Sequence, residues 1–161
     1  MPRDPALADQ IGQELTLIGE RVPGVRGSVA ATSDGILIAH DVRDLEPTQI
    51  AALVAAMHAV AVRAALSTES GQLKDVITRA SDGYLAVYAA GSAAIVAVLG
   101  TTELNVAILN YQAPAIIERV AGHLANIARR PPADPGYPPA TPRAPAGQPG
   151  PGVTGPLPTR R

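Results

Sequence analysis

Two aspartates sit in matching tripeptides, Ser33-Asp34-Gly35 and Ser81-Asp82-Gly83. A pair of carboxylates brought together could divide the roles of general acid and general base. Each aspartate is nevertheless accounted for by its own turn. Asp-Gly is the strongest short hairpin signal, because glycine accepts the positive φ that a tight turn requires. No shared acid–base role is therefore expected. His40, His58 and His123 fall on different elements without metal-ligand spacing. The adjacency of His40 and Asp41 does not make a catalytic triad, and His58 reads as a hydrogen-bonded packing residue. Cysteine is absent, which excludes disulfides, thiolate metal sites and a cysteine nucleophile. Neither G-x-x-x-x-G-K-[ST] nor a strand-linked G-x-G-x-x-G occurs, so the chain should not bind nucleotide phosphates by itself. Arg63 is the only charge on the exposed side of a very apolar helix. An arginine offered to a partner can stabilise phosphoryl transfer, but a solvated or ion-paired surface arginine is the plainer reading. No catalytic residue, metal site or cofactor site is assigned.

Composition narrows the class further. With 161 residues and a net charge of -1, the chain can build one domain with a real core. It lacks the basic footprint of a nucleic-acid-binding protein. Phe and Trp are absent and Tyr occurs only 4 times, which also argues against stacking on bases. The N-terminal stretch MPRDPALADQIGQEL is polar and has no apolar core of a secretory signal, so a cytoplasmic protein is expected. Of 13 basic residues only Lys74 is a lysine, and alanine is abundant, a bias typical of GC-rich genomes. Alanine is therefore informative only through its position.

The elements that would position any site can be read in order. Residues 131–161 are rich in Pro and Gly and nearly free of large apolar side chains. Such a segment cannot offset its ordering entropy and is expected to be a disordered, partly polyproline-II tail. It reads as a solubilising tail or as a docking segment for a Pro-binding groove or an acidic surface. The ordered domain is expected within residues 1–130. Asp4 suits a helix N-cap and Pro5 the first helical position. Leu7, Ile11, Leu15, Ile18 and Val22 then recur at helical spacing, until Pro23-Gly24 ends the helix. PGVRGSVAATSDGILIA (23–39) reads as a strand, a tight turn and a second strand, to about Val42. Ile36, Leu37 and Ile38 run apolar without alternating, as in a strand covered on both faces. A second helix runs from Pro47 to about Leu66. Leu73–Ala80, Tyr84–Ala89 and Ala93–Leu99 read as three strands, and residues 105–130 as a last helix. Pro114 must kink that helix or mark its start. The fold class is α+β: a largely antiparallel sheet in the order α-β-β-α-β-β-β-α, with helices on both faces.

Residues 50–66, IAALVAAMHAVAVRAAL, are broken only by His58 and Arg63. A membrane span needs about 20 strongly apolar residues. This stretch is shorter, rich in alanine and carries an arginine, so no span is expected. On a helical wheel of about 100° per residue, Ile50, Leu53, Val54, Met57, Val60 and Ala61 share one side, which should pack on the sheet. Ala52, Ala55, Ala56, Ala59, Val62, Arg63 and Leu66 occupy the other. A surface of small residues lets a second helix come close, and a two-fold homodimer through this side is expected. The alternative is that alanine is present merely as a helix former. Leu73–Ala80, including Val76 and Ile77, could extend the sheet across the same axis. Its Lys74, Asp75 and Arg79 could equally protect that edge.

VPGVRGSVAATSDGILIA resembles the N-terminal signature of Roadblock/LC7 domains. ESGQLKDVITRASDGYLAVYAAGSAAIVAVLG resembles their three-strand half, and LNVAILNYQ the start of their last helix. The resemblance covers about residues 7–128. One departure is Val106-Ala107, where many members have glycine, and Pro114 is a second. The resemblance implies a profilin-like architecture with a five-stranded antiparallel sheet. It also implies a non-enzymatic homodimer, in which the central helix and a neighbouring edge strand pair across the two-fold axis. Bacterial members serve Ras-like small GTPases, often beside a sensor kinase. The implied function is regulation of a GTPase's nucleotide cycle. The alternatives are a scaffold for a sensor-kinase/GTPase complex, recruited to the membrane through its partners, and a small-molecule sensor domain. The family carries no invariant catalytic residue to transfer.

Overall fold

The structure, a computed structural model, describes the backbone of residues 5–128. Asp4, the expected N-cap, lies outside the described residues, as does the segment 131–161.

Helix α1 (Pro5–Arg21) starts at a proline, whose missing N–H is no loss in a first turn. Ile11, Leu15 and Ile18 are completely buried along one stripe. Strands β1 (Val25–Thr32) and β2 (Leu37–His40) form the first hairpin, α2 (Pro47–Ser67) follows, and β3 (Asp75–Ala80), β4 (Gly83–Ala90) and β5 (Ala94–Gly100) form a meander before α3 (Val106–Ala128). The five strands are all antiparallel in the order β2-β1-β5-β4-β3. The two hairpin units join through β1 and β5, which pair along almost their whole length from Val25↔Gly100 to Thr32↔Ala94. β5 is buried at every position except Leu99, as a central strand should be.

Alternation along the strands builds two cores. Ala30, Ala86, Tyr88, Val96 and Val98 point to one face, where α1 and α3 cover them with Ile11, Leu15, Ile18, Leu109, Ile116 and Val120. Val29, Ala31, Val87, Ile95 and Ala97 point to the other, under α2. An ion pair from Arg119 Nε to Glu14 Oε2, 2.8 Å, ties α3 to α1.

The structure corrects some element boundaries. β2 ends at His40, where Asp41 turns its carboxylate back onto β1. β3 starts at Asp75, because Leu73 belongs to the loop that follows α2. The apolar run 36–38 is not covered throughout. β2 is an edge strand, Leu37 and Ile38 are half-buried, and Ile36 is 53 % exposed. Pro114 neither starts α3 nor ends it; the helix begins at Val106 and continues past it. The carbonyl at Asn110 loses its helical donor there, but Asn110 is exposed and water can replace it.

Both Asp-Gly turns are as expected, and Gly83 has a steric role besides. A Cβ on Gly83 would lie 2.2 Å from the carbonyl oxygen of Gly100, at the junction of β4 and β5. Replacing Gly83 by alanine is expected to lower stability by about 2–4 kcal/mol, because backbone must shift to relieve the clash. Urea denaturation followed by circular dichroism checks this; a midpoint equal to wild type would contradict it.

Candidate functional site

Helix α2 is fixed at both ends by local chemistry. Glu46 caps it through its side chain, which accepts from the Thr48 N–H at 3.3 Å, and Pro47 begins it. At the other end the Thr68 N–H and hydroxyl both donate to the Ala64 carbonyl, at 3.0 and 2.9 Å. Its apolar residues are divided between two sides. Ala51, Val54 and Ala55 are buried against the sheet. Gly35, at the tip of the first hairpin, packs so close that a Cβ there would lie 3.1 Å from the Cα of Ala52. Leu53, Val60 and Leu66 face outward, 63 %, 68 % and 69 % exposed. By length and composition α2 could cross a membrane; in this fold its inner side is packed on β1, β2 and β5.

The wheel reading of α2 is therefore corrected by roughly a quarter turn. Ala55, expected on the outer side, is in the core, and Val62 is half-buried. Ala52, Ala56, Ala59, Arg63 and Leu66 are exposed as expected. Leu53 and Val60, expected against the sheet, are exposed instead. The physical reason is closeness of approach. Ala51 and Ala55 let the helix settle onto Val29, Ala31, Ile95 and Ala97, and larger side chains would hold it off. One signal for the outer face was present in the sequence: Leu53, Ala56 and Val60 recur at i, i+3 and i+7, the spacing of a helical seam.

Near α2 lies the edge strand β3, which among the described residues pairs only with β4. Val76 is half-buried on the α2 side, and the Thr78 hydroxyl donates to Met57 Sδ of α2 at 3.6 Å. Ile77 is on the opposite face, opposite Ala86 in the register, and 37 % exposed. Arg79 shares the face of Ile77 and lies over the Tyr84 ring, 5.8 Å from its centroid. A cavity of about 570 Å³ opens between the C-terminal half of α2 and the following loop, lined by His58, Val62, Leu66, Glu69, Leu73 and Ala89 among others. Burial pushes the His58 imidazole below its ordinary pKa, which favours its neutral form.

The chemical candidates are dispersed. Asp34 belongs to the turn that contacts the start of β5, where the Ser33 N–H donates to the Ala93 carbonyl at 2.9 Å. It accepts from the Thr32 hydroxyl. Asp82 accepts from Ser81 at 2.8 Å beside Gly83, which abuts Gly100 at the far end of β5. The two carboxylates thus lie at opposite ends of a seven-residue strand, roughly 20 Å apart at 3.3 Å per residue. His40 is on β2 and His58 on α2, while His123 on α3 is 3.8 Å from Glu14. Among the described residues, no group of three His, Cys, Asp or Glu could hold a metal ion. What this face offers is an apolar surface and an unpaired strand.

The Roadblock/LC7 domain model matches residues 12–100. The chain belongs to the Roadblock/LC7 family. Its fold is similar to a Roadblock/LC7 domain from Streptomyces avermitilis, with a TM-score of 0.65 and 24 % identity over 71 % of this chain and 97 % of that one. It is also similar to the gliding protein MglB of Thermus thermophilus, with a TM-score of 0.66 and 16 % identity over 75 % and 93 % of the two chains. An MglB in a tetrameric arrangement gives a TM-score of 0.69 at 15 % identity, over 75 % and 92 %. At these identities the likeness is one of fold. No curated protein matches the chain in sequence.

The path of this roadblock domain from β2 into α2 depends on Asp41. Its carboxylate accepts from the Ser28 N–H, while its own N–H donates to the Ser28 carbonyl at 3.0 Å. Burial raises its pKa above the ordinary carboxylate value and outweighs the opposing backbone hydrogen bonds and the charges of His40 and Arg43. A raised folded-state pKa stabilises the fold below the unfolded value of about 3.9, and that contribution is lost as pH rises through the folded value. Asp41→Asn keeps the acceptor and removes the buried charge. It is expected to equal or exceed wild-type stability at pH 7 and to flatten the loss of stability as pH rises above the unfolded carboxylate value of about 3.9. Asp41→Ala leaves the Ser28 N–H unpaired and is expected to cost about 1–3 kcal/mol. Thermal melts of the three proteins across pH check both signs.

Proposed function

We propose that this roadblock protein is a non-enzymatic, dimeric regulator of a Ras-like small GTPase, which modulates the GTPase's nucleotide cycle in a bacterial signalling system. The observation that carries the reading is the outer face of α2. Leu53 and Val60 form an exposed apolar stripe along a helix that touches the edge strand β3 through Met57 and Thr78, and Leu66 adds an exposed apolar side chain on another side of its C-terminal end. In the family that this chain belongs to, resemblance implies that this helix and strand join two copies and that bacterial members serve small GTPases. A large side chain is worth roughly 1.5–3 kcal/mol when removed from water. A two-fold axis on this face would withdraw Leu53 and Val60 twice.

On this reading the GTPase supplies the phosphate loop, and the roadblock dimer acts on it in trans. The protein works in the cytoplasm, and any recruitment to the membrane or to a sensor kinase is made by its partners. Association into larger assemblies suits the reading, since a structural neighbour is an MglB in a tetrameric arrangement.

The purified chain is expected to sediment as a dimer, to hydrolyse no GTP alone and to change hydrolysis by the GTPase encoded beside it. The double variant Leu53→Glu, Val60→Glu should be a folded monomer and should lose that effect. A wild-type monomer at micromolar concentration would remove the dimer reading. A dimer that binds the GTPase without altering its hydrolysis would support the scaffold instead.

A further inference from the structure

The edge of β3 has a charge pattern that selects its own partner. The strand reads Asp75-Val76-Ile77-Thr78-Arg79-Ala80. Asp75, Ile77 and Arg79 share the face opposite α2, as their register against Tyr88, Ala86 and Tyr84 requires. Val76 and Thr78 share the α2 face. The backbone groups on the outer side of this strand have no strand to pair with, a state that proteins either block or use.

A two-fold axis perpendicular to the sheet would bring α2 of both copies to the same side. Residues directly opposite each other must then share a face, so their numbers must be of equal parity. Few registers remain for a strand this short. With the axis at Val76, Asp75 meets Ile77; with the axis at Thr78, Ile77 meets Arg79. Each leaves a charge against an apolar side chain. With the axis at Ile77, Ile77 meets Ile77, Val76 meets Thr78, and Asp75 of each copy meets Arg79 of the other. We infer that β3 pairs with β3 of a second copy in this register, and that two Asp75–Arg79 pairs across the axis select the like chain as partner. The inference rests on the dimer reading above and adds its register and its specificity.

Directly opposite cross-strand charges attract when unlike and repel when like. The pair stays at the rim, because Arg79 is exposed and Asp75 half-exposed. It therefore discriminates between partners, while the apolar surface of α2 supplies most of the affinity.

Two experiments test this on the full chain. In the first, Arg79→Asp and Asp75→Arg are each expected to raise the dimer dissociation constant roughly tenfold or more at low salt, less so at about 1 M salt. Mixing the two single variants should restore association, since the mixed dimer has no like-charge pair shared by both sides of the axis. The double variant should likewise associate to within about threefold of wild type. In the second, the natural absence of cysteine makes single-cysteine cross-linking clean. Ile77→Cys is expected to form a disulfide-linked dimer on mild oxidation, because directly opposite residues have Cα atoms about 4.5–5.5 Å apart, within the span of a disulfide. Thr78→Cys should not. A wild-type monomer would overturn the dimer reading itself. A wild-type dimer indifferent to both charge reversals, with no rescue on mixing, or one that cross-links through Thr78→Cys and not Ile77→Cys, would overturn the register alone.

Discussion

The close approach of α2 to the sheet is the constraint on which the rest depends. Ala51 and Ala55 touch a layer of Val29, Ala31, Ile95 and Ala97, and Gly35 fits against Ala52 where no side chain would. A helix that settles this near can place only one larger side chain, Val54, fully in the contact. Ile50 and Met57 reach the edge of the same contact, while Leu53 and Val60 are turned out by geometry rather than by any excess of hydrophobicity. The exposed stripe of Leu53 and Val60 is thus tied to the same packing that stabilises the monomer. A change that filled the inner face with larger residues would lift α2 and rotate the outer face away from β3 together.

The sheet explains why the carboxylates are scattered. β5 runs through the centre and holds both hairpin units, one turn at each of its ends. Asp34 and Asp82 are consumed in those turns, by Thr32 and Ser81. Asp41 is consumed in joining β2 to β1. Carboxylates that cap and pin backbone are spread by the topology that needs them, so no two of these three converge on a common cavity. The buried polar residue Ser28 lies at the same join, with its backbone rather than its hydroxyl engaged by Asp41.

The turns and the element order were legible because their signals are local. Asp-Gly, Pro-Gly and Pro at a first helical position act within a few residues, and they place nearly every element. The facing of α2 was signalled only by the spacing of Leu53, Ala56 and Val60, because a helix apolar on both sides has no polar face to exclude, and ranking by size puts Leu53 and Val60 inside. Close packing of small residues decided it, and that depends on what the sheet presents beneath. Val76 and Ile77 were grouped by adjacency, although strand alternation alone puts neighbours on opposite faces. Pro114 was ambiguous in sequence, since its cost depends on whether the orphaned carbonyl of Asn110 reaches water.

In the proposed dimer, helix and strand divide the work of recognition between them. A seam of alanines with occasional large residues buries area well but slides easily, because one small side chain resembles the next. A strand edge contributes less area but moves only in whole registers, and equal parity of the two faces removes every second one. Asp75 and Arg79 then distinguish among the few that remain. The two elements adjoin through Met57 and Thr78, so a single axis must satisfy both. Affinity without register would admit any apolar roadblock helix as a partner. Register without affinity would leave β3 an open edge. Combined on the proposed axis, the apolar helix would make association strong enough to occur, and the two charges flanking Ile77 on its own face would make it selective.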